Sequence, residues 1–301
     1  MYISLFKKSI FPNTYIISES TAERIVGSGW KEMSEKAKTE KPTSAVFAAN
    51  TRLEYTKKVQ TLSSTNVLGV LEGADKKDEW LVITAHYDHL GKRGGAIFYG
   101  ADDDGSGTVS VLEIAEAFTK AKAAGKGPRR SILFMTVSGE EKGLWGSEYF
   151  ANHPTITLDK ITANLNIDMI GRVDTERRLA DTLNYVYVVG DDKLSTELKP
   201  LSETVNKKYA KLVLDYKFND PKDPQRIYFR SDHYNFARVG VPIIFYYDGM
   251  LKGDYHKATD TPDKINYKLL ARRAQLVFYT AWEMANREAM IKRDMPLPNR
   301  D

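Results

Sequence analysis

The order of apolar runs predicts an α/β fold: three layers, α/β/α, around a central mixed, mostly parallel sheet. Two observations carry this. Residues 81–85 (Leu-Val-Ile-Thr-Ala), 132–137, 161–167 and 185–189 are short apolar runs rich in β-branched side chains, the composition of strands buried on both faces. Between and after them lie stretches whose apolar residues recur at helical spacing, and alternating strands and helices place helices on both faces of a sheet.

The elements follow in chain order. Residues 15–17 read as a short strand and 20–26 as a short helix capped by Ser20 or Thr21. Residues 31–42 are a Lys/Glu-rich loop or exposed helix. Residues 52–60 alternate loosely and are expected to pair as a strand with 66–71, with 73–75 as the turn. After the strand at 81–85, residues 108–122 form a helix in which Val111, Leu112, Ala115 and Phe118 share a face, stopped by Gly125 and Gly127. A second helix covers 144–151. Residues 194–209 are helical with Pro200 inside, so a kink is expected. A strand at 213–218, a short helix at 231–239, a strand at 242–247 and a long closing helix at 267–287 complete the pattern. Residues 295–301 read as a loose tail.

Composition narrows the function. At 301 residues the chain is one large domain or two small ones. Its net charge of +4 is small beside a 28% share of charged residues, and no dense Lys/Arg block is interleaved with aromatics, which argues against nucleic acid as a partner. No apolar run reaches the roughly 18 residues of a membrane span. There are no cysteines, which excludes disulfides, thiolate metal sites and cysteine nucleophiles. The first ten residues lack the pattern of a signal peptide.

The chemistry concentrates in a few places. Gly100-Ala101-Asp102-Asp103-Asp104-Gly105-Ser106-Gly107 packs three carboxylates into a turn before a helix, an arrangement that needs solvent or a cation. His86 directly follows the first buried strand, Glu140-Glu141 the second and Asp168 the third, while His256 lies in a turn-rich segment. In a mostly parallel sheet such strand ends converge on one edge. His86, Asp102, the Glu140-Glu141 pair, Asp168 and His256 then supply two imidazoles and three carboxylates, enough for two divalent ions, with one Glu left to act as a base. Nitrogen and oxygen donors without thiolate suit zinc, with cobalt or manganese as substitutes. His89 and His153 read as bystanders, His89 at most as a support. Gly100 stands where an EF-hand would need an acid, and no Gly-x-Ser-x-Gly surrounds Ser106.

Six motifs spread over residues 80–265 resemble those of the co-catalytic zinc aminopeptidases of the bacterial leucyl aminopeptidase type, relatives of glutamate carboxypeptidase and the transferrin receptor. They are His86-x-Asp88, the Asp102-Asp103-Asp104 turn, Glu140-Glu141-x-Gly143, Asn166-x-Asp168-Met169, Ser231-Asp232-His233 and Tyr255-His256. The resemblance implies a zinc-exopeptidase fold of the phosphorylase/hydrolase-like kind. It implies two Zn2+ per chain, with Asp102 bridging them, His86 and Asp168 on one ion and Glu141 and His256 on the other. It further implies Glu140 as general base, Asp88 orienting the His86 ring and a cis peptide between Asp102 and Asp103, with Asp103 supporting the turn. Tyr228 would assist the oxyanion. The substrates would be peptides with a free N-terminus.

The resemblance also suggests that residues 1–45 are an extension, the tail of a truncated protease-associated insert, before a catalytic domain at 46–301. A longer parent protein would then be periplasmic or secreted. The rival readings are a glutaminyl-cyclase-like acyltransferase with one zinc, a carboxypeptidase or dipeptidase, and a receptor-like binding domain without catalysis.

Overall fold

The computed structural model describes residues 14–39 and 44–297, except 51, 57, 60, 179, 180 and 182. The expectations for residues 1–10 and for the end of the 295–301 tail fall outside them. Two compact units divide between Thr61 and Leu62, later in the chain than the expected 45/46 boundary.

The first unit holds helices α1 (Glu19–Val26) and α2 (Trp30–Thr39). Ser18, rather than Ser20 or Thr21, caps α1: its side chain accepts a hydrogen bond from Thr21 N. Neither helix has a buried residue. Tyr15, Ile16 and Ile17 form no strand.

The second unit is built on a seven-stranded sheet in the order β1-β5-β2-β6-β9-β7-β8. These strands are β1 (Val67–Leu71), β2 (Lys76–His86), β5 (Arg130–Val137), β6 (Ile161–Ile167), β7 (Tyr185–Val189), β8 (Val213–Asp215) and β9 (Ile243–Tyr247). A hairpin of β3 (Gly91–Arg93) and β4 (Ala96–Phe98) stands apart from it. The pairs β5–β2, β2–β6 and β6–β9 are parallel, as is β7–β8, whereas β1–β5 and β7–β9 are antiparallel. The mixed, mostly parallel sheet is therefore as expected.

One pairing differs. β1 runs antiparallel to β5, and the described residues of 52–60 form no strand. The apolar run Val67-Leu68-Gly69-Val70-Leu71 carries no alternation to specify a partner, so the choice is made by tertiary packing.

Successive side chains on a strand face opposite ways, and the two cores reflect this. Leu81, Ile83 and Ala85 of β2 pack with Val111, Ile114 and Phe118 of α3 (Gly107–Ala123) and with Leu276 and Val277 of α7 (Tyr267–Asn286). Val82 faces the other way, into a core with Phe150 of α4 (Trp145–Asn152) and Phe236 of α6 (His233–Ala237). The sheet thus carries α3, α5 (Leu198–Lys208) and α7 on one face and α4 and α6 on the other. Pro200 does not kink a helix. It lies in the first turn of α5, where the missing N–H would have had no intrahelical partner. The C-terminal ends of the parallel strands β2, β5, β6 and β9 share one edge, which places His86, the 138–141 segment, Asp168 and Asp248 side by side.

Candidate metal centre

His86 is the last residue of β2 and is fully buried. Its Nε2 lies 3.1 Å from Asp103 Oδ1, 3.7 Å from Asp168 Oδ1 and 4.0 Å from Glu140 Oε2. On the other side of Asp103, His256 Nε2 lies 3.2 Å from Asp103 Oδ2 and 3.0 Å from Glu141 Oε2. His89 Nδ1 comes within 2.7 Å of Glu141 Oε1 and 3.9 Å of Asp103 Oδ2. Two groups result, His86/Asp103/Asp168 and His89/Asp103/Glu141, each offering three ligand atoms within 4.8 Å of one another, and Asp103 belongs to both.

Asp103 therefore stands where the sequence placed Asp102. The backbone explains the difference. Asp103 (φ −107°, ψ 87°) and Asp104 (φ −126°, ψ 45°) leave helical conformation inside the turn 101–106, so neighbouring side chains point in different directions. Asp102 turns away: its Oδ1 accepts from Gly171 N at 2.7 Å. Asp104 also turns inward, with Oδ2 accepting from His86 N at 3.1 Å and Oδ1 from Gly107 N at 2.9 Å and Met169 N at 3.1 Å. It ties the ends of β2 and β6 to the start of α3. The cis peptide joins Asp103 and Asp104, not Asp102 and Asp103. The carboxylate of Asp260 accepts the N–H groups of both Asp102 and Asp103, which fixes the turn from behind.

Other supports are visible only in three dimensions. Asn164 donates to Thr84 Oγ1 at 3.0 Å, Thr84 donates to Asn166 Oδ1 at 2.6 Å, Asn166 donates to Ser231 Oγ at 2.9 Å, and Ser231 donates to Asp168 Oδ2 at 2.6 Å. This buried chain runs from the middle of β2 and β6 to the Asp168 carboxylate and orients it. Asp88 has a different contact from the one expected. His86 Nδ1 meets the Asp88 backbone carbonyl at 3.0 Å, while the carboxylate oxygen is 3.8 Å away. That carboxylate accepts from Glu140 N at 3.1 Å and so positions the segment carrying both Glu140 and Glu141.

The electrostatics are those of a carboxylate cluster held out of water. Burial pushes the Glu140 carboxyl well above the usual range; His86 opposes this, while Asp168, Asp232 and Asp103 add to it. Burial also works to raise Asp103, but contacts with His256 and His86 prevail and lower it. For His86, burial works to lower the pKa, but the Asp168 and Asp103 carboxylates outweigh it and raise it well above the ordinary value. His256 is raised to about 9 by its contacts with Asp103 and Glu141. Asp102 is pushed up by burial and by the neighbouring Asp248.

These residues fit a metal. His86 Nε2, His89 Nδ1, Asp103 Oδ2 and Glu141 Oε1 are buried atoms without a hydrogen-bond partner among the described residues, although several approach each other closely. Leaving such groups unpaired is costly, and atoms converging at short range without hydrogen-bond geometry are arranged as ligands of a common cation. The all-nitrogen-and-oxygen set suits zinc.

A cleft opens beside the centre. Asp103, Glu140 and Asp168 line one part of it, Ile227, Phe245 and Leu251 an apolar part, and Tyr255 and Arg230 are also exposed to it. Tyr228 is not among the lining residues. Its hydroxyl is buried without a hydrogen-bond partner among the described residues, and its ring packs against Phe229, His233 and Tyr234. Tyr255 stacks on the His256 ring at 3.9 Å between centroids.

His89, expected at most as a support, and Tyr255, expected only within the Tyr255-His256 motif, both stand at the centre. Their signals were present: His89 is three residues after His86, and Tyr255 immediately precedes His256.

Residues 66–281 match the sequence model of peptidase family M28. The chain belongs to that family. A probable leucine aminopeptidase of Arthroderma otae is 31% identical over 216 residues, covering 70% of this chain and 55% of its own length. Leupeptin-inactivating enzyme 1 of Streptomyces exfoliatus is 29% identical over 254 residues, covering 76% and 52%. Among solved structures, the Legionella pneumophila LapA aminopeptidase superposes with a TM-score of 0.58 at 25% identity, over 74% of this chain and 56% of that one. An aminopeptidase from Aneurinibacillus sp. strain AM-1 shares the fold, with a TM-score of 0.58 at 21% identity over 78% and 52%. The M28 chain spans about half the length of these curated relatives. Among the described residues no helix is long and apolar enough to cross a membrane.

Proposed function

We propose that this M28 chain hydrolyses the N-terminal peptide bond of peptides, as a zinc-dependent aminopeptidase with two ions per chain. The observation that carries the reading is the position of Asp103, between His86 and Asp168 on one side and Glu141 and His256 on the other. His86 and Asp168 would hold one ion, Glu141 and His256 the other, and Asp103 would reach both. His89 presents a further nitrogen to the Glu141 carboxylate. When bound, zinc would supply Lewis acidity toward the scissile carbonyl and would acidify water.

The chain's own groups do the rest. Glu140 is buried among like charges, which raises its proton affinity. It takes the proton of the attacking water and passes it to the leaving amine, as general acid–base catalysis requires. Arg230 Nη2 donates to the Tyr255 hydroxyl oxygen at 3.1 Å, which leaves the tyrosine hydrogen free to meet the carbonyl oxygen as charge develops on it. The apolar wall of Ile227, Phe245 and Leu251 receives an apolar first side chain. Asp103, Glu140 and Asp168 provide negative charge for the free amine that defines an aminopeptidase substrate.

The test is zinc analysis together with hydrolysis of a panel of aminoacyl-p-nitroanilides, before and after chelation. The expected result is about two zinc ions per chain and activity that is lost on chelation and restored by zinc. Glu140→Gln is expected to retain the metal and lose on the order of 10²–10⁴ in kcat. Full activity after complete metal removal would overturn the reading, and a count of one ion would favour single-zinc acyl transfer.

A further inference from the structure

Among the described residues that line the cleft beside the centre, one is a cation, and the proposed reaction does not use it for proton transfer or metal binding. Arg230 follows the turn Ile227–Phe229 and lies exposed at the cleft, among three carboxylates and an apolar wall. Several other arginines of this unit are ion-paired. Arg172 lies 2.8 Å from Asp254, Arg287 3.2 Å from Glu197, and Arg177 contacts Asp215. Arg230 has no carboxylate within ion-pair distance among the described residues. Its partner is Tyr255: Nη2 donates to the hydroxyl, and the guanidinium carbon is 5.8 Å from the ring centroid. The guanidinium is thus held in place by a neutral group, with its charge and remaining donors unspent.

We propose that Arg230 is a specificity residue that binds a carboxylate of the substrate on the leaving-group side of the scissile bond. The inference rests on the aminopeptidase reading above. The apolar wall takes the first side chain, and the carboxylates take the amine. Arg230 is bonded to Tyr255, and with the apolar wall and the carboxylates of the cleft given to the first residue, the guanidinium is left for the residue that follows it. In a dipeptide the C-terminal carboxylate falls there. An acidic second side chain presents the same group. Arginine's planar fork of donors matches a carboxylate with two parallel hydrogen bonds. A basic second residue meets like charge and is disfavoured.

Two substrate pairs separate the sources of the carboxylate: Leu-Ala against Leu-Ala-amide, and Leu-Asp-amide against Leu-Asn-amide. The expected result is that kcat/KM favours the carboxylate member of at least one pair by about 10- to 100-fold, the worth of a hydrogen bond to a charged group, chiefly through KM. Arg230→Gln is expected to bring that ratio near one, Arg230→Lys to restore part of it, and Arg230→Glu to invert it. A wild-type ratio near one in both pairs, with leucyl anilide still cleaved, overturns the proposal and leaves the aminopeptidase reading standing. The proposal also falls if the Arg230→Gln ratio equals that of the wild type, or if the preference is for an acidic first residue, seen as glutamyl over leucyl anilide. Failure to cleave any of these substrates with zinc bound overturns both.

Discussion

Asp103 Oδ1 stands 3.1 Å from His86 Nε2, closer to that nitrogen than Asp168 or Glu140 comes. The carboxylate reaches this place because Asp102 and Asp104, on either side of it, are occupied by backbone N–H groups. Asp103→Ala is therefore expected to lose most of its zinc, because it removes an oxygen from both ligand groups. Asp102→Asn, which keeps the shape of a side chain already raised toward its neutral form, is expected to keep most of its metal. Metal content after dialysis against a weak chelator distinguishes the two; the opposite ranking would return the bridging role to Asp102.

The two tyrosines make a second contrast. Tyr255 lines the cleft, and Tyr228 is packed away from it. Tyr255→Phe is expected to lower kcat by about 10- to 100-fold, in the range of a lost oxyanion donor or somewhat below it. Tyr228→Phe is expected to change kcat by less than about threefold, since it removes only a hydroxyl without a partner. Steady-state kinetics on leucyl anilide decide between them.

Asp191 gives a pH dependence away from the centre. Burial, with the nearby charge of Asp192, raises its pKa from an ordinary 3.8 to about 7. Between those values the folded state holds a proton that the unfolded chain has released. The contribution is complete below about 4 and is lost as pH rises through about 7, at up to roughly 1.4 kcal/mol per pH unit. Asp191→Asn abolishes that loss. Urea unfolding is expected to show the variant gaining on the wild type between about pH 4 and pH 7, then holding a constant margin; a margin already constant from pH 4 would contradict the assignment.

Arg273 is fully buried on α7 and donates to the carbonyls of Tyr185, Ile170 and Arg172 at 2.7–2.8 Å, with Asp248 3.7 Å away. It fastens the end of β6 to β7. Arg273→Met leaves three carbonyls and one acid without their partner. An expected loss of about 3–5 kcal/mol follows, as for other broken buried pairs, measurable as a lower urea midpoint.

Much of this was legible in the sequence because the central strands are buried on both faces. Their runs of apolar residues have no competing interpretation, and 161–167 and 185–189 match the observed strands end for end. Edges were harder. β1 has nothing in its own residues to choose β5, and β8 stops at Asp215, where the chain turns into Lys217–Asn219. At the centre, residue types and spacing were enough to list the carboxylates and imidazoles, but not to aim them. In Asp102-Asp103-Asp104 the chemistry is identical at three positions, and only backbone torsions decide which side chain faces the cleft. The same holds for Asp88, whose carbonyl rather than its carboxylate meets the His86 ring. The Asn164–Thr84–Asn166–Ser231 chain joins two neighbouring strands to the loop before α6, a meeting that no local pattern encodes.

The two halves of the centre are mounted differently. His86 and Asp168 sit at the ends of adjacent central strands, with side-chain exposures of 0% and 11%, whereas the His256 side chain is 37% exposed and belongs to a loop. An occupant of the inner half would be gripped by the sheet itself; one in the outer half would be held in part by an exposed loop histidine. Loading and stripping would then be sequential, the outer position exchanging first and the inner one retained, so the centre would pass through a half-filled stage in which the strand-mounted ligands alone are engaged.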